Sequence, residues 1–133
     1  MFHILVVEDD RALRELFCTV LSKNGFVYHE ARDGADAWDV LEKQYIDLVV
    51  TDIMMPNMNG YEFVRSLRQN GMNMPVLMIT AKDTFEDKQS GFLAGTDDYM
   101  IKPVNVNEMI LRINALLKRA QIVNEKKIRF ENA

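Results

Sequence analysis

Short apolar runs rich in Val, Ile and Leu punctuate the chain at FHILVV (2–7), DLVVTD (47–52) and PVLMIT (75–80), with weaker ones at FVYHEA (26–31) and DYMIK (98–102). The first three are apolar almost without interruption, as strands are when both faces of a parallel sheet are covered. Between the runs the period becomes helical. Leu13, Leu16, Phe17, Val20 and Leu21 fall on one helical face, and Asn24-Gly25 supplies a C-terminal stop. Further helices are predicted over about Gly34–Lys43 around Ala37, Trp38 and Leu41, over about Tyr61–Asn70 before Gly71, and over about Phe85–Ala94 before Gly95. A fifth, about Asn107–Arg119, buries Met109, Ile110, Ile113, Leu116 and Leu117. This repeated alternation of strand and helix predicts an α/β fold in three layers with a parallel sheet. From about Ala120 the apolar period fades. The final QIVNEKKIRFENA reads as a linker, residues 121–133, ending in a short alternating piece around Ile128 and Phe130.

The polar residues fall at telling places on this pattern. Glu8 and Asp9 follow the first predicted strand, Asp52 ends the third, Thr80 the fourth and Lys102 the fifth. In a parallel sheet all carboxyl ends lie along one edge, where open α/β sheets place their sites. These residues therefore converge on one cleft. Clustered carboxylates repel each other, so they must either retain protons or bind a cation. Hard oxygen ligands without nearby Cys or His favour Mg²⁺ over zinc. Such a site, with Lys102 as a second positive charge and Thr80 as a hydrogen-bond donor, suits phosphoryl transfer. No Ser, Cys or His stands among the set, so a carboxylate is the simplest acceptor, and Asp52, central in chain order, is the candidate. Any one of these residues taken alone is equally a turn former, a helix cap or a solvated loop residue. The constellation carries the reading.

Composition narrows the class. The chain has 133 residues, 48% of them hydrophobic, which suits one domain with one core. Its net charge of −4 disfavours nucleic-acid binding over a broad surface. The single Cys18 excludes an internal disulfide and fits a reducing compartment. No run approaches the ~18 apolar residues of a membrane span, and MFHILVVEDD does not read as a signal peptide. A cytoplasmic domain with no membrane association is expected. Cys18 reads as buried filler, Trp38 as helix packing, and His3 and His29 as unrelated residues without ligand spacing.

Taken together, ILVVEDD, DIMMPNMNG, VLMITA, GTDDYMIKP and NEMILRINALLKR make the chain resemble a response-regulator receiver domain from about residue 3 to 119. The resemblance implies a flavodoxin-like (CheY-like) sheet of order 2-1-3-4-5. It implies that Asp52 is the phosphoacceptor for a sensor histidine kinase. Mg²⁺ would be held by Asp9, Asp52, the backbone carbonyl of Met54 and, through water, Glu8. Thr80 and Lys102 would bind the phosphoryl group, and Thr80 and Tyr99 would form the switch. The Lys102-Pro103 bond is expected cis. Such a domain catalyses only its own phosphorylation and dephosphorylation. Val104 stands where Phe is usual in the family, and Met54 and Lys82 occupy positions that tune acyl-phosphate lifetime.

Lys88, Asp97, Asp98, Glu108, Arg112 and Arg119 form a charged set on the fourth helix, the fifth strand and the fifth helix. By itself this is a solvated face. It also resembles the surface on which OmpR/PhoB-type regulators form homodimers when phosphorylated. The resemblance implies that between subunits Lys88 would pair with Glu108, Asp98 with Arg112 and Asp97 with Arg119. The tail then resembles the start of a winged-helix domain, and DNA contact would belong to that missing domain. Other readings stay open: a stand-alone phosphorelay receiver, or an aspartyl-phosphate phosphohydrolase. A haloacid-dehalogenase-type enzyme would want a second Asp at position 54, and a flavodoxin-like cofactor carrier a phosphate loop where VEDD stands.

Overall fold

A computed structural model describes residues 1–55, 58–81 and 94–131, with side chains described as far as residue 122. Strands β1 (His3–Val7), β2 (Val27–Ala31), β3 (Leu48–Asp52), β4 (Val76–Thr80) and β5 (Asp98–Ile101) form a sheet of order β2-β1-β3-β4-β5. Every neighbouring pair is parallel, so the expected order and direction both hold. The register sets Asp52 against Ile79 and Thr80 against Ile101, which brings the polar strand ends level.

Alternation along the central strands splits the core in two. Ile4, Val6, Leu48, Val50, Leu77 and Ile79 pack under α1 (Arg11–Lys23) and the C-terminal helix (Val106–Glu131). Leu5, Val7, Val49, Val76 and Met78 pack on the other face, where α2 (Gly34–Lys43) contributes Ala37 and α3 (Gly60–Gln69) contributes Phe63, Val64 and Leu67. Each helix start is written locally. Asp10, Asp33 and Asn59 are N-caps whose side chains accept from Leu13, Asp36 and Glu62 amides, and Asn105 Oδ1 accepts from Glu108 N. Gly25 and Gly71, at φ 85° and 76°, reverse the chain after α1 and α3.

Some expectations change. Leu16, placed on the apolar face of the first helix, is 47% exposed, and Cys18 takes a buried position instead. The C-terminal helix does not stop at Arg119 but runs to Glu131, so the backbone around Ile128 and Phe130 is helical rather than strand. No Gly or Pro follows Pro103, and Gln, Glu, Lys and Arg propagate a helix well. Two apolar residues spaced by two cannot impose a strand without a partner. The helix predicted at 85–94, apart from its last residue, lies outside the described residues, as do Lys88, Lys82 and Pro56.

Candidate functional site

At the carboxyl edge of the sheet, β1 delivers Glu8 and Asp9, β3 delivers Asp52, and the turn after β5 delivers Lys102. Lys102 Nζ lies 2.7 Å from Asp52 Oδ2 and 3.3 Å from Glu8 Oε1. Asp52 Oδ1 accepts from the amide of Met54 at 3.2 Å. The backbone amide of Lys102 donates to the Thr80 carbonyl at 2.8 Å, tying the lysine to the end of β4, and the Lys102-Pro103 bond is cis as expected. Glu8, Asp52 and Thr80 are buried, whereas Asp9 is exposed and leaves the cleft open to solvent.

The electrostatics show excess negative charge. Burial, then the hydrogen bond and charge of Asp52, push Glu8 from 4.5 up to about 8 against the pull of Lys102. At neutral pH, without a bound cation, Glu8 therefore keeps a proton. Burial works to lower the Lys102 ammonium, but the hydrogen bonds and charges of Asp52 and Glu8 outweigh it, and its pKa is raised. Among the described residues, Glu8, Asp9 and Asp52 offer carboxylate oxygens within 4.8 Å of one another. A hard-oxygen set whose excess negative charge makes Glu8 retain a proton fits a hard divalent cation.

Side chains that the pattern of strand ends did not reveal complete the site. Arg14 Nη1 donates to the Glu8 carbonyl at 2.7 Å and fixes the turn after β1. Asp10 belongs to the helix cap, not the acidic cluster, as its place three residues before Leu13 signals. Gly60 abuts β3: a Cβ there would collide with the Asp52 carbonyl oxygen and lie 2.9 Å from Ile53 Cα.

Residues 4–114 match the response regulator receiver domain family. The chain belongs to that family. It is 44% identical over 117 residues to Response regulator MprA of Mycobacterium sp. (strain KMS), a match covering 88% of this chain and 51% of that protein. With Response regulator MprA of Mycobacterium ulcerans (strain Agy99) the identity is 40% over 124 residues, covering 93% of this chain and 53% of that one. The chain thus spans about half the length of the curated relatives it matches. Among solved structures, the Francisella response regulator 1452 receiver domain has a TM-score of 0.86 at 34% identity, covering 90% of this chain and 99% of that one. Chemotaxis response regulator CheY4 of Vibrio cholerae has a TM-score of 0.82 at 29% identity, covering 87% of this chain and 98% of that one.

In this receiver Tyr99 is 8% exposed, and its hydroxyl donates to Tyr61 Oη at 3.0 Å. Of the charged set, Asp97, Asp98, Glu108 and Arg112 are engaged within the chain. Arg112 Nη1 holds both carboxylate oxygens of Asp98, at 3.0 and 2.9 Å, and Nη2 holds Glu108 at 2.9 Å. The hydrogen bonds of Asp98, then of Glu108, raise the Arg112 pKa. Within the chain Asp97 pairs with Arg68, 2.9 Å away, and also accepts from Val76 N. Arg68 spends all five N–H bonds on Gly95, Met72, Met74 and Asp97, clamping the loops below β4 and β5. Arg119 is exposed beside a cleft of about 1010 Å³ lined by Leu41, Tyr45, Met72 and Met74. That cleft lies near the opposite ends of the strands and takes in none of the acidic cluster.

Cys18 is buried and its thiol is pushed up to about 12, chiefly by burial, so it is inert. His3 and His29 are brought together, Nδ1 to Nε2 at 2.9 Å, on the first and second strands. Burial, then the charge of His3, lowers the His29 pKa. No helix among the described residues is long and apolar enough to cross a membrane.

Proposed function

We propose that this receiver is switched by transfer of a phosphoryl group from a sensor histidine kinase to Asp52. The observation that carries the reading is the Asp52 carboxylate itself, 5% exposed, paired with Lys102 and set beside two further carboxylates at the mouth of an open edge. An Asp52 oxygen attacks phosphorus as the bond from phosphorus to the donor's imidazole nitrogen breaks; the electron pair of that bond leaves with the imidazole. Lys102, within reach of both Asp52 and Glu8, follows the negative charge from carboxylate to phosphoryl oxygens. Thr80, buried at the end of β4, donates to the phosphoryl group. Asp9, Asp52 and the Met54 carbonyl, with Glu8 beside them, would hold Mg²⁺, which when bound would neutralise charge on the transferred group.

The added phosphate charge, up to about −2, biases Thr80 and Tyr99 and with them the face around β5. Moving such an equilibrium from 1:99 to 99:1 takes about 5.5 kcal/mol of preference. The output we propose is homodimerisation through Lys88, Asp97, Asp98, Glu108, Arg112 and Arg119, as in OmpR/PhoB-type regulators. The pairs of Arg112 with Asp98 and Glu108 hold those side chains in place, and dimerisation exchanges partners between subunits. Residues 1–120 form the phosphoacceptor domain, and 121–133 lead to a winged-helix domain through which DNA is reached. The relatives' roughly twofold greater length supports that over a stand-alone relay. The protein is then cytoplasmic, and its only chemistry is its own phosphorylation and dephosphorylation. Incubation with acetyl phosphate and Mg²⁺ gives one phosphoryl adduct by intact mass. Absence of the adduct in the wild type, or its persistence in Asp52→Asn, rejects the proposal.

A further inference from the structure

The first turn of α3 touches both ends of the switch. Gly60 presses against the Asp52 carbonyl, and its amide donates to the Ile53 carbonyl at 2.8 Å, so α3 starts in register with the end of β3. The next residue, Tyr61, is half-buried against the cluster beneath α3 and accepts the Tyr99 hydroxyl at 3.0 Å. Tyr99 belongs to the same cluster, and its ring is buried. A hydrogen bond made by a phenol hydroxyl inside an apolar cluster adds to the preference of its ring for the buried position.

We propose that Tyr61 is a positioning residue for the Tyr99 switch: its hydroxyl holds Tyr99 in the buried position and couples it to the Asp52 backbone through Gly60, along a path that does not use Thr80. The proposal rests on Tyr99 being the switch aromatic. Where Thr80 answers to the phosphoryl group, Tyr61 answers to the placement of α3 and sets how far Tyr99 is committed inward before any phosphoryl group arrives. Phe at position 61 keeps the ring and the packing but removes this one hydrogen bond. The hydrogen bond's typical contribution makes the expected change in the buried-to-exposed ratio of Tyr99 about two- to tenfold.

The test labels the tyrosine rings of the full chain with carbon-13. It has four tyrosines, so the Tyr99 signal is assigned by its loss in Tyr99→Phe. Protection of that signal from a soluble paramagnetic gadolinium chelate is compared in the resting wild type and Tyr61→Phe. Emission of Trp38, which packs edge-on to Phe63 in the same cluster, monitors general packing. The expected result is a two- to tenfold loss of Tyr99 protection at unchanged Trp38 emission, with the acetyl-phosphate adduct formed at wild-type yield. Unchanged protection overturns the proposal, as does a loss accompanied by altered Trp38 emission, which would mark general loosening. The resting-state comparison needs no phosphorylation. A wild type that forms no adduct therefore defeats the functional reading without deciding the tyrosine contact.

Discussion

Lys102 and Asp52, fifty positions apart, meet at 2.7 Å, and the same ammonium reaches Glu8 at 3.3 Å. One cation thus serves two buried carboxylates. In Lys102→Met the carboxylates lose their counter-charge while the alkyl stem is kept. The expected cost is about 1.5–3 kcal/mol, the range for hydrogen bonds to charged groups. Urea unfolding of the metal-free chain at pH 8.5 measures it, and the loss should shrink at pH 5, where Glu8 holds a proton.

Glu8 makes stability depend on pH with a definite sign. Its ordinary value of 4.5 rises to about 8 in the fold, so between those values the folded state binds the extra proton. Its stabilising contribution is complete below about 4.5 and is lost as pH rises through about 8. The Tm of the metal-free chain should fall across that window. Mg²⁺ affinity should rise across the same window, because the cation displaces the proton. In Asp52→Asn, which removes the neighbouring charge, both midpoints should move to lower pH.

Gly60→Ala tests the contact between α3 and the acceptor strand. Its Cβ has no room beside the Asp52 carbonyl, and backbone does not yield as a flexible side chain does. Overpacking of this kind costs about 1–3 kcal/mol. The prediction is a lower urea midpoint together with slower adduct formation from acetyl phosphate.

Arg112→Glu should separate assembly from chemistry. The within-chain pairs of Arg112 with Asp98 and Glu108 are only partly buried, so their loss should cost at most about 1 kcal/mol. Light scattering with beryllofluoride and Mg²⁺ should show a dimer for the wild type and a monomer for Arg112→Glu, at equal phosphoryl-adduct yield.

The convergence of Glu8, Asp52, Thr80 and Lys102 was legible because it follows from topology alone: parallel strands carry their carboxyl ends to one edge whatever packs around them. The caps at Asp10, Asp33 and Asn59 were equally local. What escaped depends on which side chains meet across elements. Tyr61 with Tyr99, Arg68 with Gly95 and Asp97, and His3 with His29 lie 26 to 38 positions apart, and no period or motif marks them. Leu16 had the right spacing for the core, but no element among the described residues covers it. The tail shows the converse limit, since Ile128 and Phe130 mimic a strand where the surrounding residues favour continued helix.

The central claim is that Asp52 itself carries the phosphoryl group. Borohydride reduces an aspartyl phosphate to homoserine, which peptide mass mapping locates. After acetyl phosphate and Mg²⁺, homoserine should replace aspartate at position 52 and nowhere else, and the replacement should vanish when Mg²⁺ is chelated first. Homoserine at Asp9, or none at all, contradicts the account.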